Sequence, residues 1–191
     1  NAGMAGPGGS RDVFAESFDG RSGAFAIVSG TALAPLDNHM AQAGLSATAG
    51  RELVLDQDLR FGEQLLKALT DKGVTSGKIG IINTNAATTS TMDRENGFRA
   101  AFEGSKFELL ETQYSEGDAA KSKDIATNYI AQGCVGIFGT NEGTTVGTGN
   151  AIKEDGGDVI GVGFDKSDTI LGLIKDGTLL CAMAQNPDKM G

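Results

Sequence analysis

The sequence predicts an α/β fold in which a parallel β-sheet carries helices on both faces. From Gly77 onward, short apolar segments alternate regularly with helix-like segments, a pattern typical of a parallel sheet wrapped by helices. Three of the apolar segments are almost continuously hydrophobic, as strands buried on both faces are. The chain also contains 29 glycines and only 3 prolines, which suits many tight strand-to-helix junctions.

Five strands are predicted after residue 77, and most of them are followed by polar residues. They cover residues 78–83, 107–113, 135–139, 159–164 and 179–184. The second (FELLETQ) alternates between apolar and polar residues, so we expect it near an edge of the sheet. Helices are predicted at residues 59–70, 94–102 and 118–132, because apolar side chains recur there at helical spacing.

The first 50 residues have a different composition from the rest. They are rich in Gly, Ala and Ser, and they contain one good strand-helix unit, at residues 24–29 and 32–42. Residues 1–12 are expected to be irregular. We therefore predict a division near residue 50, between a partial or irregular N-terminal part over residues 1–50 and a regular α/β part over residues 51–191.

Charge and composition exclude several classes of partner. The net charge is −9 and the isoelectric point is near 4.6, and no local Lys/Arg cluster overrides this field. Nucleic acid and anionic membrane surfaces are therefore poor partners. No apolar run is long enough to cross a bilayer. Cys134 and Cys181 are too few for a disulfide scaffold, and we expect both to be buried free thiols.

The chain lacks the motifs of common enzyme classes. The Gly-rich segment 139–149 has no Gly-Lys-Ser/Thr ending to bind phosphates, and residues 161–163 (GVG) lie inside a strand rather than after one. There they are expected to allow close helix packing. The single histidine, His39, lies in the least organised third of the chain. We predict no catalytic residues, no metal and no cofactor.

Polar residues cluster where the predicted strands end. Asn83, Asn141, Asp165 and Gln185 each follow or end a strand, and Arg94 begins a helix. Because the carboxyl ends of parallel strands meet at one edge, these side chains should share a rim. Carboxamide, carboxylate and guanidinium groups suit the paired hydroxyls of a sugar. The residues themselves are equally consistent with helix caps and loop hydrogen bonds.

Several ordered motifs at these positions resemble one family. Residues 77–98 (GKIGIINTNAATTSTMDRENGF) resemble the strand, polar loop and Arg-x-x-Gly-Phe helix of type 1 periplasmic binding proteins of the ribose-binding family, with Arg94 as the sugar-contacting arginine. Residues 138–147 are similar to the segment that supplies a ligand-binding asparagine, here Asn141. Residues 161–165 match the strand that delivers Asp165, and residues 182–187 match the hinge strand that carries Gln185. The resemblance runs from about residue 56 to residue 191.

This resemblance implies a flavodoxin-like parallel sheet, namely the C-terminal lobe of a type 1 periplasmic binding protein with a partial N-terminal lobe. The implied function is the solute-binding component of an ABC-type sugar uptake system, which binds a monosaccharide or similar polyol by hydrogen bonds between two lobes. Its partners would be the sugar and the membrane permease. The implied location is periplasmic or extracellular, free or as a membrane-anchored lipoprotein, although no signal peptide is visible in this chain. A truncated first lobe would expose apolar surface and favour a homodimer.

Two features separate the chain from the family pattern. Residues 115–118 (SEGD) stand where the family often has an aromatic side chain that stacks on the sugar, and residues 45–50 (LSATAG) replace the expected hinge strand. Two other classes of protein fit the sequence less well. The effector-binding core of a repressor-type transcription regulator would need a helix-turn-helix segment, and residues 1–23 contain none. An α/β hydrolase or reductase is disfavoured by the lack of a nucleophile elbow or dinucleotide loop.

Overall fold

A computed structural model describes residues 25–29, residue 59 and residues 61–185 of the chain. Over these residues the strands form one sheet, and helices connect most of them. In chain order the elements are β1 Phe25–Ser29, α1 61–71, β2 Gly77–Asn83, α2 Thr89–Ala100, β3 Phe107–Leu109, β4 Gln113–Tyr114, α3 Ala119–Ala131, β5 Cys134–Gly139, α4 Glu142–Asp155, β6 Ile160–Phe164, α5 Asp168–Lys175 and β7 Leu179–Gln185.

The sheet is parallel except at one edge. Its strand order is β1-β7-β6-β5-β2-β3, and β4 also pairs with β2. The antiparallel member is β1, which comes from the N-terminal region and pairs with β7, with Phe25 opposite Gln185. The predicted helix at residues 32–42 lies outside the described residues, and the division of the chain near residue 50 stays a prediction.

The predicted strand at residues 107–113 is two short strands. Between them the chain leaves the regular ladder: Leu110 still donates its backbone N–H to Ile79 O (2.9 Å), and Glu111 O accepts from the Tyr129 hydroxyl (2.7 Å). Its expected place at an edge is confirmed, since β3 ends the strand order. The alternating pattern could not reveal the break, because the break depends on a hydroxyl from α3.

Helix α2 begins five residues before its predicted start. The polar segment ahead of Arg94 has no helical apolar spacing, so the pattern alone could not include it. In the structure the Asn85 side chain accepts from the backbone N–H of Ala87 (3.0 Å) and Thr88 (2.9 Å), and the helix starts directly afterwards. Such side-chain turns set a helix start independently of hydrophobic period.

The helices cover both faces of the sheet, as predicted. On one face α1 and α2 enclose a core in which the Phe98 and Phe138 rings stack at 4.3 Å and 17°. On the other face α3, α4 and α5 pack against apolar residues that include Ile82, Ile137 and Ala182. Neighbouring residues on β5, such as Ile137 and Phe138, therefore serve opposite cores, which explains why the strand is apolar throughout.

Close packing of α4 on β6 depends on a glycine in the GVG segment. A Cβ atom at Gly163 would lie 2.1 Å from Thr145 Cγ2, so no larger residue fits without displacement of α4. The Thr145 hydroxyl in turn accepts from Phe164 N (2.9 Å). This confirms that the segment serves helix packing.

The two cysteines are buried free thiols, as expected. Cys134 begins β5 and Cys181 lies within β7. Strand β6 lies between β5 and β7, so the two cysteines are on strands that do not pair with each other.

Candidate functional site

The carboxyl ends of β2, β5 and β6 open on one edge of the sheet. Ligands of open parallel sheets bind at this edge, because the loops diverge there and helix N-termini point to it. Asn83 ends β2, Asn141 follows β5 by two residues and Asp165 follows β6 directly. Arg94 reaches the same edge from α2. We call this edge, with the loops that follow the strands, the rim.

Asn141 is the N-cap of α4. Its side chain accepts from Thr144 N (3.0 Å), and its own backbone N–H donates to the Thr144 hydroxyl (2.9 Å). This reciprocal pair is a capping box, which stabilises the first turn. The carboxamide oxygen is thus engaged with the helix, while its nitrogen lies 3.0 Å from the point that a Cβ of Gly117 would occupy. The side chain can therefore donate to a ligand only through Nδ2.

Arg94 is held between the ends of two strands. Only 8% of the residue is exposed. Its Nη1 donates to Thr140 O (2.8 Å), and its guanidinium carbon lies 3.4 Å from the centroid of the Phe164 ring. A guanidinium over an aromatic face gains a cation–π attraction. These contacts fix the planar group beside the ends of β5 and β6.

Asp165 has an uncommon backbone conformation. Its φ is 73°, in the left-handed region that Asp tolerates better than most residues. Its N–H donates to Met183 O (2.7 Å), and its Oδ2 accepts from Glu142 N (3.0 Å). The carboxylate therefore sits at the N-terminus of α4, where the helix dipole favours negative charge. An ionised carboxylate has acceptor capacity beyond this single bond.

Asn83 lies beneath the rim rather than on its surface. The residue is completely buried. Its Oδ1 accepts from Thr84 N (2.7 Å) and the Thr140 hydroxyl (3.0 Å), and its Nδ2 donates to Glu95 Oε2 (2.7 Å) and Thr91 O (3.3 Å). A carboxamide has two donors and two acceptor directions, and all four are used. Asn83 thus ties β2 to β5 and α2.

The Glu95 carboxylate is a rim-supporting group that the sequence patterns did not single out. Its side chain is 7% exposed and its Oε1 accepts from Arg99 Nε (2.8 Å). The same oxygen also accepts from the Thr112 hydroxyl. The spacing of Glu95 and Arg99, four residues apart on a helix, is the signal that could have identified the pair. Its burial depends on β2 and the segment after β3, which the local sequence does not specify.

The loop after β4 forms a polar wall of the rim. Glu116 and Gly117 have φ values of 58° and 76°, and Glu116 N donates to Thr84 O (2.8 Å). Its side chain accepts from Asn85 Nδ2 (3.3 Å). A Cβ at Gly143 would lie 1.8 Å from Gly117 O, so the loop backbone rests directly on α4. The stretch that lacks the expected aromatic residue is therefore well ordered by backbone contacts.

Gln185 ends β7, where its Cα is paired with that of Phe25; its side chain lies outside the described residues. Among the residues that the structure describes, no group of three or more His, Cys, Asp or Glu side chains is placed to hold a metal ion. Within the same residues, no helix has the length and apolar character needed to span a membrane.

The fold and this rim place the protein in the class of α/β lobes that carry polar groups for a ligand at the carboxyl edge of a parallel sheet. The chain belongs to the periplasmic binding protein family, because the family model described as periplasmic binding protein domain matches residues 53–191. This agrees with the resemblance seen in the sequence motifs.

Similar proteins support the same assignment. The chain is 30% identical over 132 residues to a ribose import binding protein of Haemophilus influenzae, with 68% of this chain and 44% of that protein covered. It is 27% identical over 170 residues to the D-allose-binding periplasmic protein of Escherichia coli, with coverage of 85% and 55%. The chain thus spans about half the length of the curated relatives it matches.

A solved structure gives the same picture. An ABC transporter solute-binding protein from Agrobacterium vitis with bound D-fucose matches with a TM-score of 0.56 and 33% identity. The match covers 64% of this chain and 44% of that one. This likeness confirms the predicted parallel sheet with helices on both faces.

Proposed function

We propose that this protein is the solute-binding component of an ABC-type sugar uptake system and that it binds a monosaccharide or similar polyol. The observation that carries the proposal is the arrangement of Arg94 and Asp165 around one short segment. Arg94 donates to Thr140 O, and Asp165 accepts from Glu142 N, two residues further on. A donor fork and a carboxylate on either side of one strand end suit a ring of hydroxyls.

Each group would have a defined part in binding. Asp165 would accept from two hydroxyls, Arg94 would donate to ring or hydroxyl oxygens, and Asn141 would donate through Nδ2. Gln185 completes the proposed set, and Asn83 supports it from below. Hydrogen bonds of this kind contribute about 0.5 to 3 kcal/mol each. Binding and lobe closure are the whole activity, with no chemical step.

The similar proteins support the transport assignment over the repressor alternative. The relatives named above are a ribose import binding protein, a D-allose-binding protein and a solute-binding protein with D-fucose. We accordingly propose a membrane permease as the partner and a periplasmic or extracellular location. The polar loop at residues 115–118 argues for a ligand held mainly by hydrogen bonds rather than by aromatic stacking.

A thermal-shift screen tests the proposal. The full polypeptide is heated with pentoses, hexoses and polyols in turn, because a ligand that binds only the folded state raises its melting temperature. We expect a concentration-dependent rise with at least one monosaccharide. The assignment fails if no sugar in the panel stabilises the protein.

A further inference from the structure

We propose that Glu95 is a positioning residue that orients Arg94 for ligand through a buried relay of Asn83 and Thr140. The proposal rests on the proposed sugar site but concerns residues that lie beneath it. In the relay Glu95 Oε2 accepts from Asn83 Nδ2 (2.7 Å), Asn83 Oδ1 accepts from the Thr140 hydroxyl (3.0 Å), and Thr140 O accepts from Arg94 Nη1 (2.8 Å).

The burial of the relay makes its geometry restrictive. Asn83 and Thr140 are fully buried, and the Glu95 residue as a whole is 5% exposed. Water cannot replace a lost partner there, so each member must keep its hydrogen bonds. The relay joins α2, which carries Arg94, to β2 and to the end of β5, where Thr140 O accepts from the guanidinium. A shift of any member therefore moves the carbonyl to which the guanidinium is bonded.

Both carboxylate oxygens of Glu95 accept hydrogen bonds. The Asn83 carboxamide is already oriented by two backbone groups, Thr84 N, which donates to Oδ1, and Thr91 O, which accepts from Nδ2, and Glu95 Oε2 accepts from the same nitrogen. Arg99 Nε lies 2.8 Å from Glu95 Oε1 and compensates the buried negative charge. A glutamine at position 95 has a single acceptor oxygen, so it cannot accept from Asn83 Nδ2 and from Arg99 Nε at the same time.

Glu95 also fixes the helix turn that carries Arg94. The two residues are neighbours on α2, and the Glu95–Arg99 pair is linked to the segment after β3 through the Thr112 hydroxyl, which receives a bond from Arg99 Nη2 (2.7 Å). The same carboxylate thus acts on Arg94 through the backbone and through the relay. By either route, loss of the Glu95 carboxylate should make the Arg94 guanidinium more mobile while leaving it at the rim.

Three variants separate positioning from general stability. Glu95→Gln removes the charge with little change in size. Asn83→Asp combined with Glu95→Gln exchanges donor and acceptor, which restores the bond between the two positions but turns a carboxylate oxygen toward Thr91 O, which is also an acceptor. The control is Glu103→Gln, which removes an exposed carboxylate that lies just after α2.

The first readout is the NMR signal of the Arg94 guanidinium, assigned by comparison with Arg94→Lys. We expect Glu95→Gln to shift this signal and to speed its hydrogen exchange. The double variant, Asn83→Asp with Glu95→Gln, should recover most of the parent signal. The control Glu103→Gln should leave the signal unchanged. An Arg94 signal that is unaltered in Glu95→Gln overturns the proposal. This readout needs no sugar, so it decides the question even if the proposed function fails.

The second readout is affinity for a sugar that stabilises the parent. We expect Glu95→Gln to weaken binding about tenfold. The affinity of the double variant, Asn83→Asp with Glu95→Gln, should return to within about threefold of that of the parent. In an Arg94→Lys background, Glu95→Gln should have less than about a twofold further effect, because coupled residues are not additive. A full additional loss in that background would show that Glu95 does not act through Arg94.

Discussion

The guanidinium carbon of Arg94 lies 3.4 Å from the centroid of the Phe164 ring. Phe164 ends β6 and directly precedes Asp165. Contact with the Phe164 ring therefore places the Arg94 guanidinium, which comes from α2, beside the strand that leads to the Asp165 carboxylate. The Phe164 residue is 1% exposed. Phe164 is thus both a core residue and the platform on which the guanidinium rests.

Arg94→Lys should therefore weaken sugar binding by about tenfold or more, because an ammonium cannot stack flat and donate as a fork at once. The free energy of unfolding should fall by about 1 to 3 kcal/mol, since the bond from a charged donor to Thr140 O and the contact with the Phe164 ring are both weakened. Titration calorimetry and urea unfolding measure the two effects. Unchanged affinity would remove Arg94 from the site.

A pair of glycine substitutions tests the contact between the rim loop and α4. Gly143→Ala would place a Cβ 1.8 Å from Gly117 O, and we expect it to cost about 1 to 3 kcal/mol of unfolding free energy. Gly172→Ala, in α5 with no atom within 4 Å of the new methyl, should gain about 0.5 to 1 kcal/mol. Urea unfolding compares them. Equal changes in the free energy of unfolding for the two variants would contradict the close contact between the rim loop and α4.

Much of the fold could be predicted from the alternation of apolar and helical segments. Strands β2, β5, β6 and β7 begin and end within one residue of their predicted bounds, since strands buried on both faces have an unambiguous pattern. The break between β3 and β4 and the early start of α2 could not be predicted this way. Both depend on side-chain hydrogen bonds, from Tyr129 and Asn85, that leave hydrophobic periodicity unchanged.

The candidate site could be predicted only in part. That Arg94, Asn141 and Asp165 share one edge follows from parallel topology, and the structure places them there. Their use as ligand contacts stays a proposal. Glu95 was not anticipated, because its importance comes from the burial of Asn83 and Thr140, which are distant from it in sequence.

Thr84 carries a hydroxyl whose oxygen is buried and has no hydrogen-bond partner among the described residues. Thr84→Val keeps the shape and removes this uncompensated polar atom, so stability should be unchanged or rise by up to about 1 kcal/mol. Thr145→Val is the control, since that hydroxyl accepts from Phe164 N (2.9 Å); it should cost about 1 to 3 kcal/mol. A comparable loss in both variants, by thermal unfolding, would contradict the assignment.

The two thiols should be unreactive in the folded protein. Burial raises the pKa of Cys134 to about 11 and raises the pKa of Cys181 as well. Roughly one Cys134 thiol in a thousand is therefore ionised at pH 8. Ellman's reagent should react slowly with native protein, faster toward pH 11, and with both thiols at once in denaturant. Rapid reaction of the native protein at pH 8 would refute this.

These raised pKa values also affect stability at alkaline pH. The folded state holds the Cys134 proton more tightly than the unfolded chain does. Its contribution to the free energy of unfolding is therefore complete below pH 9 and is lost as the pH rises toward about 11. Burial raises the pKa of Tyr129 to about 12, which acts in the same direction. Urea unfolding between pH 8 and pH 11 should show declining stability.

The most direct test of the account is calorimetric titration of the full polypeptide with the sugar that stabilises it most, repeated on Asp165→Asn. Asparagine tolerates the left-handed backbone at this position and can still accept from Glu142 N, so the fold should be retained. The control is Asp158→Asn, an exposed carboxylate in the loop that leads into β6, at the opposite end of that strand from the rim. We predict that Asp165→Asn loses about 2 to 4 kcal/mol of binding free energy and that Asp158→Asn binds like the parent. Equal affinity of Asp165→Asn and the parent would contradict the central claim.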